Sequence, residues 1–282
     1  MINANLHAMK YAHHILRVEI SSLWSNKKHI VWHLRPDVNV LSGRNGEGKS
    51  TILNKIVQHL RTAPTSGELK NHPDHIASID FDPADAECIR YDIIRSFDRI
   101  LMDSGRTQSI TDARIATELD WQLYLLQRRY LDYQVNVGNR MIEMLQSNNP
   151  DAHEKAMQAA QMKNTFLDMI DSLFGETQKR IDRNSNELLF IQDDEPLSPY
   201  LLSSGEKQML AILLTALTQD LQPYVFFMDE PEASLHFEWQ KGLIGMVRQL
   251  NPNAQIVLTT HSPAVIMNGW EDAVTNVSEI TL

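Results

Sequence analysis

The residues with the clearest chemical potential form one glycine-rich stretch, Gly43-Arg44-Asn45-Gly46-Glu47-Gly48-Lys49-Ser50-Thr51. Glycines let the backbone curl so that successive N–H groups point at one chain of phosphates. Lys49 can then reach the β- and γ-phosphates, and the Ser50 hydroxyl can ligate Mg²⁺. The spacing is that of a phosphate-binding P-loop, and it predicts a nucleotide site.

A pair of adjacent carboxylates follows an apolar run. Residues 224–228 are all aromatic or aliphatic, and Asp229 and Glu230 come directly after them. This run predicts a buried strand that delivers both carboxylates at its C-terminal end. Asp229 would hold Mg²⁺ directly or through water, and Glu230 would act as general base on the attacking water. The alternative is an acidic surface turn, against which the preceding apolar run argues.

Two more polar segments lie at the ends of predicted elements. Ser203, Ser204 and Gly205 precede an apolar helix over residues 209–217, where free N–H groups and the helix dipole attract anions. A simple N-cap by one of the serines is the other interpretation. His261 follows a predicted strand over residues 255–259. In a parallel sheet, that position places His261 near the γ-phosphate.

These residues need strands and helices to position them. A strand over residues 37–41 leads into the P-loop, and the apolar spacing from Ile52 to Leu60 predicts a helix after it. A further helix is expected over residues 239–250. The remaining predicted strands cover residues 15–21, 29–34, 77–81, 87–94 and 188–192, and a turn is predicted at residues 193–196.

The middle of the chain has a helical character. Apolar residues recur every three or four positions from Ile115 to Val137, and a polar break at residues 147–150 follows. Asp151 and Glu154 then form a candidate capping box for a second helix, whose own apolar stripe ends at Leu173. The two stripes predict an antiparallel hairpin, and they leave open whether it projects or packs on the core.

Composition limits the class of protein. The net charge is −10, which argues against a broad nucleic-acid-coating surface but leaves a local basic patch open. The single cysteine, Cys88, allows no internal disulfide. No signal-like segment is present, and the longest apolar stretch, residues 209–217, is too short to cross a bilayer. We therefore expect a cytoplasmic protein that has no membrane partner.

With these motifs in order, the chain resembles ABC-type ATPases of the SMC/RecF branch. It is most similar to small stand-alone ATP-binding proteins related to the ATPase half of the OLD (overcoming lysogenisation defect) nucleases. The matching segments are residues 43–51, 202–208, 225–232, 233–236 and 260–263. The resemblance implies an α/β P-loop NTPase fold, which is an ABC-type ATPase head with a mixed or parallel β core and a helical insertion. The implied domains are an N-terminal lobe (1–101), the insertion (102–186) and a C-terminal lobe (187–282).

The resemblance also implies a mechanism with ATP and Mg²⁺ in which two heads sandwich two ATP molecules. Residues Ser203, Ser204, Gly205 and Glu206 would contact the ATP of the other head. Residues 233–236 would lie at the dimer seam, and His261 would sense the γ-phosphate. Such relatives work with a separate effector, such as a nuclease, in DNA repair or anti-phage defence. The alternatives are the ATPase subunit of a membrane transporter and a nucleotide-dependent scaffold that does not hydrolyse ATP.

The chain departs from the pattern of that family at identifiable positions. Transporter heads usually carry glycine where this chain has Ser204 and glutamine where it has Glu206, which favours the non-transporter branch. The glutamine expected after the strand ending near Arg95 is missing, and Gln108 is the nearest candidate. Because the chain ends soon after Pro263, we do not expect the nuclease activity of the OLD proteins.

Overall fold

The computed structural model describes residues 9–23, 28–62, 77–95, 115–146 and 150–282. The strands are β1 (Tyr11–Ala12), β2 (His14–Leu23), β3 (Lys28–His33), β4 (Val38–Ser42), β5 (Ala77–Asp82), β6 (Cys88–Ile89), β7 (Tyr91–Arg95), β8 (Lys179–Ile181), β9 (Phe190–Gln192), β10 (Glu195–Leu197), β11 (Tyr224–Asp229), β12 (Ala254–Thr259) and β13 (Val274–Asn276). The α-helices are α1 (Lys49–Thr62), α2 (Glu118–Gln146), α3 (Pro150–Phe174), α4 (Ser204–Thr218), α5 (Phe237–Leu250) and α6 (Pro263–Ile266).

The chain forms two compact units, each built from separated segments. The first contains Met1–Ile94, Pro223–Glu230 and Asn253–Leu282. The second contains Arg95–Gln222 and Pro231–Pro252. Each unit thus combines segments that are far apart in the sequence. The division into three consecutive domains with boundaries near residues 101 and 186 stays a prediction.

A five-stranded sheet in the order β13-β4-β12-β11-β7 organises the first unit. Strands β13, β4, β12 and β11 run parallel to their neighbours. All six residues of β12 are buried, as are Val225 to Asp229 in β11. Such continuous burial is typical of a parallel sheet that is covered on both faces. The predicted α/β fold with a parallel β core is confirmed.

A second, antiparallel sheet of order β3-β2-β5 completes the core of the first unit. Trp32 and Ile15 from this sheet share one buried cluster with Phe227 of β11 and with Ile52 and Ile56 of α1. The predicted helix after the P-loop therefore buries the expected face. The strand predicted over residues 87–94 is divided into β6 and β7, which belong to different sheets.

Helices α2 and α3 form the predicted antiparallel pair in the second unit. Lys163 donates a hydrogen bond to Gln134 at 2.6 Å, and the rings of Tyr130 and Phe166 lie 6.3 Å apart, so residue numbers rise along α2 as they fall along α3. Helix α2 begins at Glu118, because Thr117 and Asp120 exchange side-chain and backbone hydrogen bonds as a capping box.

The hairpin packs on α4. Lys207 of α4 pairs with Asp120 near the start of α2, and Asp220, just after α4, pairs with Arg140 further along α2. The apolar stripe of α2 is buried, and its buried members are Leu119, Leu123, Leu126, Tyr130, Tyr133 and Val137. Of the two arrangements that the sequence left open, the structure therefore shows the packed one within this unit.

A small antiparallel sheet of order β10-β9-β8 also lies in the second unit. The sequence predicted a strand near β9 but a turn over residues 193–196 in place of β10. Asp193 and Asp194 alone form the turn, with φ of 51° and 63°, and Gln192 pairs with Glu195. Positive φ at both positions of a two-residue hairpin turn is usually signalled by Asn-Gly or Asp-Gly, and Asp193-Asp194 does not carry this signal.

Candidate functional site

The glycine-rich loop connects β4 to α1 in the first unit. Gly46 and Gly48 have φ of 83° and 96°, a backbone conformation that favours glycine. The Glu47 carboxylate folds over the loop and accepts the Arg44 N–H at 2.9 Å. The backbone therefore has the curled form that presents N–H groups to an anion at the start of a helix.

Lys49 is buried at the first position of α1. Its Nζ donates to the carbonyls of Gly43 at 3.1 Å and Arg44 at 3.4 Å, which are part of the loop itself. It also lies 2.5 Å from Nε2 of His261, which accepts from the ammonium group. The ammonium group is thus held at the inner side of the loop by three acceptors.

Asp229 is buried at the end of β11 and accepts two hydroxyl hydrogen bonds at one oxygen. Ser50 Oγ donates to Asp229 Oδ1 at 2.8 Å, and Thr259 Oγ1 donates to the same oxygen at 2.6 Å. A hydroxyl and a carboxylate are oxygen ligands of the kind that Mg²⁺ prefers, and Mg²⁺ usually takes few protein ligands beside phosphates and water. Ser50 and Asp229 therefore fit a Mg²⁺ ion. Among the described residues, no group of three or more His, Cys, Asp or Glu side chains could hold a metal.

Glu230 stands next in the chain in a strained conformation. Its φ is 48°, which an L-residue rarely adopts, and its N–H donates to the backbone oxygen and to Oγ1 of Thr259, both at 3.1 Å. Its Oε1 lies 3.3 Å from Nε2 of His261. Strain of this kind is found at functional sites, where the surrounding structure holds it. The effect is to turn the Glu230 side chain toward His261.

Neighbouring parallel strands explain why these residues meet. Strand β12 pairs with β4 on one side and with β11 on the other. The P-loop follows β4, Glu230 follows β11 and His261 follows β12, so the carboxyl ends of three strands supply one site. Ligands of open α/β sheets bind at this edge. The sequence did not indicate Thr259, because a threonine at the end of an apolar strand gives no signal of its own.

Ser203 and Ser204 lie at the N-terminus of α4 in the second unit. Ser203 is the N-cap, and its hydroxyl accepts the Glu206 N–H, while Ser203 and Ser204 are exposed. A Cβ atom added at Gly205 would lie 2.4 Å from the carbonyl oxygen of Ser234, so the segment packs tightly on residues 233–236. Of the two interpretations from the sequence, the structure shows the N-cap at Ser203, and the anion site stays a prediction for this exposed serine.

Glu206 differs from the prediction that it contacts the ATP of another head. Its carboxylate is 3% exposed and accepts hydrogen bonds from Thr177 Oγ1, Lys179 Nζ and the Ser203 N–H. Burial raises the pKa of this carboxyl, but the hydrogen bonds, first that of Lys179, outweigh burial and leave the pKa below its ordinary value. The resulting stabilisation is complete above the ordinary carboxyl pKa and is lost as the pH falls through the lower pKa of the folded state.

Several predicted features are paired or lie outside the described residues. Gln108, the candidate for the missing glutamine, lies outside them. Arg128 stacks on the Tyr124 ring and donates to its hydroxyl, and Arg183 donates to Asp168 and Asp171. Arg128 belongs to the basic pair Arg128-Arg129 and Arg183 to the basic run 179–183, and both side chains have partners within their own unit. No helix in the described part of the chain is both long and apolar enough for a membrane span.

Comparisons with known proteins agree with this geometry. Residues 91–268 match the family described as "AAA domain, putative AbiEii toxin, Type IV TA system". The chain is 24% identical over 200 residues to the retron Vc95 probable ATPase of Vibrio cholerae, covering 66% of this chain and 37% of the relative. It is 31% identical over 108 residues to the retron Ec83 probable ATPase of Escherichia coli, covering 34% of this chain and 20% of the relative.

A third relative is a putative ABC transporter ATP-binding protein of Pyrococcus abyssi, 34% identical over 93 residues, which are 33% of this chain and 34% of the relative. The chain thus spans between a fifth and about two fifths of the length of these relatives. Among solved structures, the SMC head bound to the C-terminal winged-helix domain of ScpA matches with a TM-score of 0.51 at 14% identity. That match covers 90% of this chain and 91% of the SMC head, and it shows the fold. The chain belongs to the family described as "AAA domain, putative AbiEii toxin, Type IV TA system", and it has the fold of an ABC-type, SMC-like P-loop ATPase.

Proposed function

We propose that this protein hydrolyses ATP and uses ATP to bring two copies of itself together. The observation that carries the proposal is the convergence of five side chains at one sheet edge, in contact distances that link the P-loop to the ends of β11 and β12. These side chains are Lys49, Ser50, Asp229, Glu230 and His261. Two of the relatives carry the name probable ATPase, which supports the activity.

In this proposal, Lys49 and the loop N–H groups bind the phosphates of ATP. The three acceptors that now hold Lys49 are two carbonyls and His261, all weaker partners than the charged oxygens of a triphosphate. Ser50 and Asp229 hold Mg²⁺, which when bound neutralises charge on the β- and γ-phosphates. The hydrogen bond from Thr259 fixes the orientation of the Asp229 carboxylate.

Glu230 is the proposed general base. It accepts a proton from the water that attacks the γ-phosphorus, and the bond from that phosphorus to the bridging oxygen breaks to release ADP. His261 lies within reach of both Lys49 and Glu230, so it can contact the γ-phosphate and report its presence to the base. A reaction of this kind depends on positioning and on charge stabilisation more than on covalent chemistry.

In this proposal, each copy contacts the ATP of the other copy through the N-terminus of α4. Ser203 and Ser204 are exposed there, at the N-cap and the first position of a fifteen-residue helix whose dipole favours an anion at this end. An anion on the surface of another copy is the natural ligand of this end, and the γ-phosphate at the P-loop is such an anion. ATP is then the ligand that joins two copies, and hydrolysis separates them.

We expect ATP and Mg²⁺ to shift the Glu230→Gln variant from monomer to dimer, or to a larger even-numbered assembly. Adding Ser203→Arg should abolish this shift without abolishing ATP binding, because the arginine side chain enters the space where the two copies meet. Light scattering with and without ATP measures the mass, and a fluorescent ATP analogue measures binding.

The matched control is Ser172→Arg, which places the same side chain at an exposed serine of α3 in the same unit. This variant should assemble with ATP as the parent does. A mass that does not depend on nucleotide, or a Ser203→Arg protein that still assembles, would contradict the proposal.

We further propose that the protein acts through a separate effector, such as a nuclease, in defence or repair. Two relatives are named as retron ATPases, and the family description includes a toxin–antitoxin system, which supports a defence role. The SMC head of similar fold was solved with a winged-helix domain of another protein, which supports a protein partner. Nucleic acid stays open as a further partner.

The helical segment 111–174 is the proposed docking surface, because it is the part least needed for ATP chemistry, and its aromatic residues differ in exposure. Tyr130 and Tyr133 are buried, and burial raises the pKa of Tyr130 to about 12. Trp121 and Tyr124 stack on each other with ring centroids 5.4 Å apart, and both are partly exposed. The surface around these two rings is therefore the part of α2 that suits an interface.

The transporter alternative is favoured by one relative, whose name describes an ABC transporter ATP-binding protein. Co-purification with a membrane protein would support it. The scaffold alternative predicts a dimer that binds ATP and releases no phosphate. The approach of Glu230 to His261 supports turnover over the scaffold, because a scaffold needs no general base.

A further inference from the structure

Glu206 and Lys207 are adjacent residues of opposite charge in the first turn of α4, and both are buried ion-pair partners. Glu206 pairs with Lys179 at 2.9 Å, and Lys207 pairs with Asp120 at 2.8 Å. In each pair the acidic side chain is 3% exposed and the lysine side chain 12% exposed. We call residues 203–207 the signature turn. The side chains of Glu206 and Lys207 in this turn are therefore not available to a ligand on the surface.

The partners of these two residues lie at one end of the α2–α3 hairpin. Asp120 is in the first turn of α2, where it also caps the helix by accepting the N–H groups of Ala116 and Thr117. Thr177 and Lys179 lie within five residues of Phe174, where α3 ends. Because α2 and α3 are antiparallel, the start of the first and the end of the second form the same end, which we call the hairpin base.

Ser203 is attached to this arrangement by a backbone hydrogen bond. Its N–H donates to Glu206 Oε2 at 2.9 Å, while Thr177 and Lys179 bind Oε1 of the same carboxylate. The Glu206 carboxylate thus joins the hairpin base to Ser203, the N-cap of α4. A displacement of the base moves the group to which the Ser203 backbone is bound.

We propose that Glu206 and Lys207 are positioning residues, which hold Ser203 and Ser204 on the hairpin base in the orientation that contacts the ATP of a second copy. The proposal rests on the ATP-driven pairing proposed above. It also defines a route by which a partner bound to α2 and α3 can change that pairing, because both ion pairs connect the hairpin to the signature turn. Two ion pairs of opposite polarity on neighbouring residues resist a slip of the turn, since a slip would bring like charges together.

The test uses Lys179→Met and Lys207→Met, which keep the length and apolar stem of each lysine and remove its charge. We expect faster hydrogen exchange of the backbone amides of residues 203–207 in the protein without nucleotide. In the Glu230→Gln background, we expect the ATP-driven association to weaken by about tenfold or more, because the lost charges belong to one network of interacting residues. ATP binding to the single chain should be unchanged.

The matched control is the ion pair at the other end of the contact between α2 and α4. Arg140 binds Asp220 through two hydrogen bonds, of which the second measures 2.7 Å. Asp220 has φ of 55°, which asparagine tolerates, so Asp220→Asn removes the charge without a new backbone strain. This variant should loosen the same two helices and leave exchange at residues 203–207 and the association unchanged.

The two readouts separate the possible failures. Unchanged exchange at residues 203–207 in both methionine variants would overturn the positioning role, whatever the association does. Faster exchange with undiminished association would overturn it too. A Glu230→Gln parent that does not associate with ATP would contradict the proposed function instead, and faster exchange in the methionine variants would then still support the local role of the two ion pairs.

Discussion

Replacing Glu230 with Gln is expected to lower the rate of ATP hydrolysis by about 10²–10⁴-fold, the usual effect of removing a general base, and to leave ATP binding intact. The amide has the same shape as the carboxylate but cannot accept the proton of the attacking water. The backbone of Glu230 is held by Thr259 through its N–H, so the strained turn should persist in the variant. Phosphate release under saturating ATP measures turnover, and a fluorescent ATP analogue measures binding.

The control for this variant is Glu238→Gln on α5, where the carboxylate is 75% exposed and pairs with Lys241 at the surface. Its turnover should match that of the wild type. Turnover close to wild type in Glu230→Gln would remove Glu230 from the role of base. A joint loss of binding and turnover would instead assign Glu230 to nucleotide binding.

Replacing Lys49 with Ala is expected to weaken ATP binding by about 10²-fold, since each charge-assisted hydrogen bond to a phosphate oxygen contributes on the order of 1.5–3 kcal/mol. The site would also lose the ammonium group that the structure places at the inner side of the loop. Equilibrium binding of a fluorescent ATP analogue measures the change.

Lys55→Ala serves as the control, because Lys55 is a partly exposed lysine on the same helix, α1. We expect its ATP affinity to equal that of the wild type. An unchanged affinity in Lys49→Ala would show that ATP binds elsewhere or with its phosphates away from the loop.

The elements around the nucleotide site were the ones that the sequence predicted best. A parallel strand that is covered on both faces needs mostly apolar side chains. Strands β11 and β12 are buried in this way, so their apolar runs were a reliable signal. The P-loop has residue types that few other turns require, notably glycines at positive φ. His261 was predicted near the γ-phosphate because its strand follows that of Asp229 in a parallel sheet, and the structure places its ring beside Lys49 of the P-loop.

The features that the sequence did not predict depend on partners far apart in the chain. Glu206 matched a family position, and only the structure shows that Thr177 and Lys179 enclose its carboxylate. Strand β8 is three residues long and contains two charges, so it has no periodic signal. The aromatic residues of α2 fit a core and an interface equally well by spacing, and the structure buries Tyr130 and Tyr133 in the core.

The central claim is that each ATP is bound by the P-loop of one copy and the α4 N-terminus of another. The most direct measurement mixes two defective proteins in the Glu230→Gln background, one with Lys49→Ala and the other with Ser203→Arg, and follows the mass by light scattering in ATP and Mg²⁺. Each protein alone should stay monomeric. In a mixed pair both defects fall in one site, and the other site has an intact P-loop and an intact Ser203, so the mixture is expected to form dimers. A mixture that stays monomeric while the Glu230→Gln parent dimerises, or a single variant that dimerises alone, would contradict the account.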